Sequence, residues 1–220
     1  MGKTNNKPAV PGQAQPQLQV EGLTCRRGRR LLFENMSFTV NLGDMFEVSG
    51  YNGSGKTTLL RLLCGLLLPE KGTLLWRGQP IHKIRPLYHS EVAYVGHTDA
   101  IKGDLTAREN LMVAKALNGG GINSEEALER VGLSRLRELP GRFLSAGQRR
   151  RLALARLLVN RAQLWLLDEP FTALDKGAIK TIAALLEEHA SKGGMAIFTS
   201  HHTVNIAHAQ TLEISASAPI

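Results

Sequence analysis

Residues 45–63, "MFEVSGYNGSGKTTLLRLL", join a short apolar strand to a helix through a glycine-rich turn. The pattern GxxxxGK[ST] ends here in Gly55, Lys56 and Thr57. Glycines let backbone N–H groups curl around phosphate oxygens, the lysine reaches the β- and γ-phosphates, and the threonine hydroxyl binds Mg²⁺. The stretch therefore predicts a nucleotide site for ATP with Mg²⁺. Its nucleotide-binding residues would be Gly50, Asn52, Gly53, Ser54, Gly55, Lys56, Thr57 and Thr58.

A second acidic segment, "AQLWLLDEPFTALD", supplies the carboxylates that such a loop needs. Its continuous apolar run, Leu164–Leu167, is typical of a buried parallel strand. Asp168 follows at the carboxyl end, where an α/β sheet presents ligand groups, and is expected to hold Mg²⁺. Strand alternation turns Glu169 the other way, so we expect it to polarise the attacking water. The alternative is two carboxylates that merely end a strand.

Two adjacent histidines follow another apolar strand in "MAIFTSHH". They could be surface residues or a metal pair, but side chains at neighbouring positions diverge, which disfavours a shared metal. We expect the imidazole of His201 to reach the γ-phosphate through its N–H group. Glu169 and His201 are therefore the predicted catalytic residues.

The middle of the chain is predicted to be helical, at about residues 100–160. Thr106 and Glu109 form a capping box for a helix that runs to about Leu117. A second helix opens at "LSAGQRRR", where a serine, small residues and three arginines together favour anion binding. The chain's own nucleotide already has a phosphate loop, so this helix is predicted to bind the nucleotide of a second copy across a twofold axis. Ser145, Gly147 and Gln148 would make that contact in a homodimer.

Composition restricts the classes of partner and the kinds of segment that the chain can have. The 220 residues carry a net charge of +8, which fits an anionic nucleotide, a membrane surface or nucleic acid. Only 5% of the residues are aromatic, which argues against a stacking platform for single-stranded nucleic acid. No apolar run is long enough to cross a bilayer. Residues 1–17, rich in Pro, Gln and Asn, are predicted to be a disordered tail.

These segments resemble the motifs of ATP-binding-cassette ATPases over residues 18–215. "GYNGSGKT" is similar to the Walker A loop, "LWLLDE" to Walker B, "LSAGQ" to the signature motif and "TALD" to the D-loop, which would place Asp175 at a dimer seam. His201 falls at the position of the switch histidine. The resemblance implies an α/β fold: a P-loop NTPase of the ABC type with a RecA-like parallel-sheet core, an antiparallel β subdomain and a helical subdomain.

Two positions depart from that family pattern. His97 stands where a glutamine usually contacts Mg²⁺, and an imidazole can also bind a metal or donate a hydrogen bond there. Arg26 and Arg27 stand where an aromatic side chain usually stacks on adenine. Arginine can stack on a base, and loose adenine selectivity is the alternative.

Within this family, "GHTDAIKGDLTARENL", "LSAGQRRRLALARL" and "TSHH" resemble the ATPase subunits of bacterial cytochrome c maturation systems. The resemblance implies a peripheral protein at the cytoplasmic face of the inner membrane, docked as two copies on a multi-spanning permease and other maturation proteins. ATP turnover would drive haem export or the release of a haem-loaded chaperone. The chain lacks a CxxCH motif, so we expect no direct haem ligation. His82, His89, His189 and His208 are expected to be solvated or locally bonded.

Three other functions are compatible with parts of this pattern. The first is the ATPase subunit of another small-molecule exporter. The second is a soluble cassette acting on nucleic acid or ribosomes, but such proteins usually carry two cassettes or a long inserted arm, and no nucleic-acid partner is expected. The third is a binding module without turnover, which the presence of Glu169 and His201 disfavours.

Overall fold

Two β-sheets and the helices around them make up the part of the chain that the computed structural model describes, residues 17–200, 204 and 206–214. His201 and all of the predicted tail except Gln17 lie outside these residues. The strands are β1 (Leu18–Arg27), β2 (Arg30–Val40), β3 (Met45–Ser49), β4 (Lys71–Trp76), β5 (Gln79–Pro80), β6 (Val92–Val95), β7 (Leu164–Leu167), β8 (Met195–Thr199) and β9 (Gln210–Glu213). The helices are α1 (Lys56–Leu63), α2 (Arg85–Glu91), α3 (Ala107–Asn118), α4 (Ser124–Arg130), α5 (Ala146–Leu158) and α6 (Lys176–Ser191), with 3-10 turns at Ser134–Leu136 and Gly141–Phe143.

The central sheet is parallel, with the strand order β6-β7-β8-β3-β9 within the described residues. Every residue of β7 and β8 is buried, as expected for strands covered on both faces. Leu164 and Leu166 pack into one apolar core, whereas Trp165 and Leu167 pack into the other. The predicted strands at residues 45–49 and 164–167 are confirmed, and their carboxyl ends lie at the same edge of the sheet.

The second sheet is antiparallel, in the order β2-β1-β4-β5. Its apolar side chains share a core with the leucines of α1 and with one face of the parallel sheet. The other face of the parallel sheet packs against α3, α4, α5 and α6. This arrangement of a parallel core, an antiparallel sheet and a helical layer confirms the predicted fold class.

Capping residues set where the helices of the middle region begin. Thr106 Oγ1 accepts a hydrogen bond from Glu109 N at 3.1 Å, and Glu109 Oε2 accepts one from Thr106 N at 2.8 Å. The predicted capping box is therefore confirmed, and Gly119 follows the last residue of α3. Asn123 caps α4 in the same way, through a bond from Glu126 N at 2.8 Å. None of the helices in the described residues is both long and apolar enough to span a bilayer.

Replacing Thr106 with alanine removes one side of the capping box at the start of α3. We expect the free energy of unfolding to fall by about 1 kcal/mol, because the Glu109 N–H group loses its acceptor. Urea titration followed by circular dichroism measures the change. Thr106→Ser keeps the hydroxyl and is the control, so an equal loss in both variants would contradict this explanation.

Candidate active site

The loop between β3 and α1 has the backbone of a phosphate-binding turn. Gly50, Gly53 and Gly55 have φ values of 149°, 80° and 107°, a region that side chains other than glycine rarely occupy. A Cβ atom on Gly50 would lie 2.6 Å from Ser54 Oγ, so the close packing of the loop also requires glycine there. Ser54 N donates to Tyr51 O at 3.1 Å. The chain therefore folds this segment into a tight turn whose N–H groups lead into the N-terminus of α1.

Lys56 lies inside this loop. Its Nζ donates to Gly50 O at 2.6 Å and lies 3.4 Å from Tyr51 O, and the residue is 7% exposed. A cavity of about 470 Å³ opens beside it and brings together loop residues and both predicted carboxylates. Its lining residues are Arg27, Arg30, Leu32, Asn52, Gly53, Gly55, Lys56, Thr57, Thr58, Asp168 and Glu169. Six of the eight predicted loop residues thus line the cavity, and Gly50 and Ser54 shape the turn behind it.

Asp168 occupies the end of β7 and is 2% exposed. Its Oδ1 atom accepts hydrogen bonds from Thr57 Oγ1 at 3.1 Å and from Thr199 Oγ1 at 3.0 Å. Its Oδ2 atom is buried and has no hydrogen-bond partner among the described residues. Since a buried carboxylate oxygen is rarely left unpaired, this atom is available to a cation.

Thr199 is a functional residue that the sequence analysis missed. It ends β8, is fully buried, and also accepts a hydrogen bond from Glu169 N at 2.8 Å. One hydroxyl therefore holds both the Asp168 carboxylate and the backbone of the next residue. The signal available in the sequence was weak: a threonine at the carboxyl end of a strand, two residues before the predicted histidine.

Glu169 lies next to Asp168 in the lining of the cavity, but strand alternation does not set its direction. The strand ends at Leu167, and Glu169 has a left-handed backbone with φ of 53°. Such a conformation costs about 1 kcal/mol or more for a residue with a Cβ atom, so neighbouring contacts must maintain it. The Glu169 carboxylate accepts a hydrogen bond from Thr172 Oγ1 at 3.2 Å and faces the cavity.

The structure places His97 beside Glu169. His97 Nδ1 lies 4.0 Å from Glu169 Oε2, and the histidine side chain is 74% exposed. It forms no hydrogen bond to Thr57 or Asp168 within the described part of the chain, so its role as a metal ligand stays a prediction. No three His, Cys, Asp or Glu side chains among the described residues are grouped to hold a metal ion by themselves. A cation here would therefore need ligands from phosphate or water.

The helix that begins after Ser145 presents its N-terminus away from this cavity. Ser145 Oγ accepts from Gln148 N at 3.2 Å and Gln148 Oε1 accepts from Ser145 N at 2.8 Å, which is a capping box. Ser145, Gly147 and Gln148 do not line the phosphate cavity of their own chain. A Cβ atom on Gly147 would lie 2.6 Å from Ala173 O, so this position of the motif requires glycine. Ala146, the preceding residue, is exposed.

The three arginines of this helix do not serve the anion site that the sequence suggested. Arg149 Nη1 donates to Leu144 O at 2.6 Å, and Arg151 Nη1 donates to the carbonyls of Val131 and Gly132 at 3.0 and 3.1 Å. Arg150 is buried and points toward the sheet. Each guanidinium therefore binds backbone carbonyls of its own chain, and the anion-binding prediction keeps only the helix N-terminus.

Two arginines line the cavity, and only one of them belongs to the pair that the sequence predicted for base stacking. Arg27 and Arg30 line it, whereas Arg26 forms an ion pair with Glu70 at 3.4 Å. Arg30 Nη2 donates to the hydroxyl of Tyr51 at 2.8 Å, and its guanidinium lies 5.7 Å from the centre of that ring. Stacking of Arg26 or Arg27 on the base stays a prediction, and of these two only Arg27 lines the cavity.

The remaining histidines named by the sequence analysis lie outside this cavity. His82, His89 and His208 are exposed, as expected. His189 stacks on Trp165 with ring centres 3.7 Å apart, and its Nε2 lies 3.2 Å from Gln163 O. Burial lowers the pKa of His189 to about 4, so this ring is neutral at physiological pH. The rings of Trp165 and His189 line a separate cavity of about 450 Å³ at the amino ends of β7 and β8.

Comparison with known proteins decides the family. The sequence model of the ABC transporter family matches residues 33–172. The chain belongs to the ABC transporter family. A solved structure described as an ABC transporter ATP-binding protein of Pyrococcus furiosus is 25% identical, with a TM-score of 0.78 over 90% of this cassette and 96% of that chain. The cassette is therefore an ABC ATPase in both sequence and fold.

Curated relatives match over nearly their whole length. A "Cytochrome c biogenesis ATP-binding export protein CcmA" of Nitrosococcus oceani is 80% identical over 98% of the cassette and 100% of the relative. The protein of the same name in Escherichia coli O157:H7 is 45% identical over 90% of the cassette and 95% of the relative. The resemblance to this group of ATPase subunits is thus confirmed.

Replacing Thr199 with valine tests the bridge between the two acidic residues. Valine has a similar shape but leaves the half-buried Glu169 N–H without its acceptor, so we expect a loss of about 1–3 kcal/mol in the free energy of unfolding. We also expect slower ATP turnover with ATP affinity within about two-fold of wild type, because the loop around Lys56 is unchanged. Steady-state kinetics and nucleotide titration measure both quantities.

Thr199→Ser keeps the hydroxyl and is the matched control. Turnover should remain near that of wild type in this variant. If serine and valine slow the reaction equally, packing of the threonine methyl group, and not the hydroxyl bridge, determines the effect.

Proposed function

We propose that this cassette is the ATP-hydrolysing subunit of a membrane complex in cytochrome c biogenesis. The observation that carries the proposal is the 80% identity, over the full length of the relative, to a protein named as a cytochrome c biogenesis ATP-binding export protein. The geometry supports an enzyme, since a phosphate loop, a buried carboxylate with an unpaired oxygen and a second carboxylate line one cavity.

In this proposal Lys56 and the N–H groups of the loop bind the phosphates of ATP. Glu169 accepts the proton of the attacking water, because its carboxylate faces the cavity and Thr172 and the Thr199 hydroxyl fix its position. His201 contacts the γ-phosphate, an assignment from the sequence that lies outside the described residues.

The residues also fit Mg²⁺. Thr57 Oγ1 and Asp168 Oδ1 lie 3.1 Å apart, and the unpaired Asp168 Oδ2 is a hard oxygen ligand of the kind that Mg²⁺ prefers. We propose that Thr57 and Asp168 hold the ion, directly or through water, with His97 as a further contact. When bound, Mg²⁺ neutralises charge that develops on the phosphates.

A second copy of the chain completes the site in this proposal. The N-terminus of α5 is capped, carries a partial positive charge and lies outside its own phosphate cavity. Ser145, Gly147 and Gln148 would bind the γ-phosphate held by the partner copy. Asp175, which caps α6 through Ala178 N at 2.7 Å, would lie near the seam.

The cargo and the location are proposed from the resemblance to cytochrome c maturation ATPases, which the relatives' names support. We propose that two copies dock on a multi-spanning permease and other cytochrome c maturation proteins, at the cytoplasmic face of the bacterial inner membrane. Hydrolysis would power haem export or the release of a haem-loaded chaperone. Haem itself would be bound by partner proteins.

A mixture of two inactive variants tests the composite site. Ser145→Arg blocks the α5 N-terminus, and Lys56→Ala removes a charge-assisted phosphate contact worth about 1.5–3 kcal/mol. We expect ATPase activity to return in purified heterodimers of the two variants, because one site then contains an intact Lys56 and an intact Ser145. Two different affinity tags separate the heterodimers from both homodimers before the rate is measured.

The control heterodimer carries both substitutions on one chain and pairs it with a wild-type chain. It has no intact composite site and should be inactive. Activity in the control with none in the mixture would show that each chain forms its own site. If neither heterodimer hydrolyses ATP, the expectation that one composite site is enough for ATP hydrolysis is contradicted.

Glu169→Gln tests the cellular role. Glutamine keeps the size of the side chain but cannot accept the proton, so ATP should bind while hydrolysis slows. In cells that contain only this variant, we expect covalent haem in c-type cytochromes to fall sharply while b-type cytochromes stay normal. Haem-stained gels and absorption spectra measure the two pools, and haem should accumulate on the chaperone at the membrane.

A matched strain with wild-type protein at the same level is the reference. Normal c-type haem in the variant strain, with hydrolysis shown to be lost, would leave export of another small molecule as the function. An equal fall in b-type cytochromes would point instead to haem supply.

A further inference from the structure

Arg150 is a buried cation in the "LSAGQRRR" segment that does not line the phosphate cavity. It lies on α5, is 4% exposed, and sits five residues after the helix-capping Ser145. A guanidinium has five N–H donors in one plane and costs several kcal/mol to bury unless it is fully paired. The partners of this side chain therefore indicate what the residue holds in place.

One edge of the guanidinium binds the loop that carries His97. Arg150 Nη1 donates to Gly96 O at 2.8 Å and to Asp99 Oδ1 at 3.1 Å. The Asp99 carboxylate is the only charged acceptor among these described contacts, and its side chain is 23% exposed. Arg156, two turns further along α5, also binds this loop through Asp99 O at 3.3 Å.

The other edge binds the turn that carries the two acidic residues. Arg150 Nη2 donates to Asp168 O at 2.5 Å and to Glu169 O at 2.8 Å, while Nε lies 3.4 Å from Pro170 O. All five donors thus have an acceptor, and three acceptors are consecutive carbonyls of this turn. Glu169 has its left-handed backbone in the same place, so Arg150 maintains a conformation that is otherwise unfavourable.

We propose that Arg150 is a positioning residue that couples the N-terminus of α5 to the orientation of Glu169 in the same chain. This inference rests on the proposed function, in which Ser145 binds the nucleotide of the partner copy. Ser145 and Arg150 lie about 7 Å apart along one rigid helix, so a shift of α5 moves both. Engagement of the partner's nucleotide is thereby transmitted to the turn that orients the general base and to the loop of His97.

The structure offers a matched control in the next residue. Arg151 is on the same helix and also binds two backbone carbonyls, but those of Val131 and Gly132 at the end of α4. Lysine at either position keeps the charge and loses the planar donors. Both substitutions should therefore weaken the packing of α5, and only Arg150→Lys should disturb the turn at Glu169.

The experiment measures steady-state ATP hydrolysis by wild type, Arg150→Lys and Arg151→Lys, each checked for folding by circular dichroism. We expect Arg150→Lys to lower kcat about 10- to 100-fold, because a displaced general base loses its alignment, with KM within about three-fold. Arg151→Lys should stay within about two-fold of wild type in both. Equal losses in the two variants, or a change in KM alone, would overturn the inference.

A double-mutant cycle with Glu169→Gln separates positioning from a general structural effect. If Arg150 acts through Glu169, adding Arg150→Lys to Glu169→Gln should lower the residual single-turnover rate by less than about two-fold. If Arg150→Lys lowers the rate by the same factor in the wild-type and the Glu169→Gln proteins, Arg150 acts independently of Glu169, and the proposal is overturned. Absence of hydrolysis in the wild type would refute the proposed function instead, so the two failures are distinguishable.

If the Arg150→Lys variant does not fold, the Asp99→Ala variant tests the same inference. It keeps the guanidinium and removes only its half-buried charged acceptor. We expect kcat to fall several-fold with KM unchanged, and the fall should disappear in the Glu169→Gln background. An unchanged kcat in Asp99→Ala would overturn the inference.

Discussion

A single buried carboxylate connects the segments that face the nucleotide. Asp168 accepts hydrogen bonds from Thr57, at the start of the helix after the phosphate loop, and from Thr199, at the end of the neighbouring strand. Its remaining oxygen is unpaired. Because leaving a charge buried and unpaired is costly, the surrounding segments are constrained to supply hydrogen-bond donors to this carboxylate. The phosphate loop, the acidic turn and the strand leading to the histidines therefore share one centre.

The three consecutive arginines of α5 form hydrogen bonds within the chain, although the chain carries a net positive charge. The net charge is +8, yet the three consecutive arginines of α5 bind carbonyls that end other elements. A guanidinium presents several donors in a fixed plane and so matches clusters of carbonyl oxygens that a helix or turn leaves unpaired. In this region positive charge contributes to tertiary structure, and anion binding is left to backbone N–H groups.

The phosphate cavity and the N-terminus of α5 are separate features of the same chain. The phosphate cavity lies at the carboxyl edge of the parallel sheet, and the capped N-terminus of α5 lies outside it. Gly147 fits closely against Ala173 O, which fixes this N-terminus against the segment after the acidic turn. In the proposed dimer each copy supplies half of each of two sites, and the proposed role of Arg150 connects these halves.

Local patterns were sufficient to predict the strands at residues 45–49 and 164–167, the capping box of α3, the helix start at Ser145 and the cavity-lining residues of the phosphate loop. Each depends on periodicity or on spacing within a few residues, which the chain itself encodes. Tertiary structure alone decided three things: the Thr199 bridge, the left-handed turn at Glu169 and the inward course of Arg150. The residues joined by the Thr199 bridge and by the hydrogen bonds of Arg150 are 18 to 54 positions apart, so no local pattern marks them. They arise because burying a carboxylate and a guanidinium requires that every donor and acceptor find a partner once the sheet and α5 have packed.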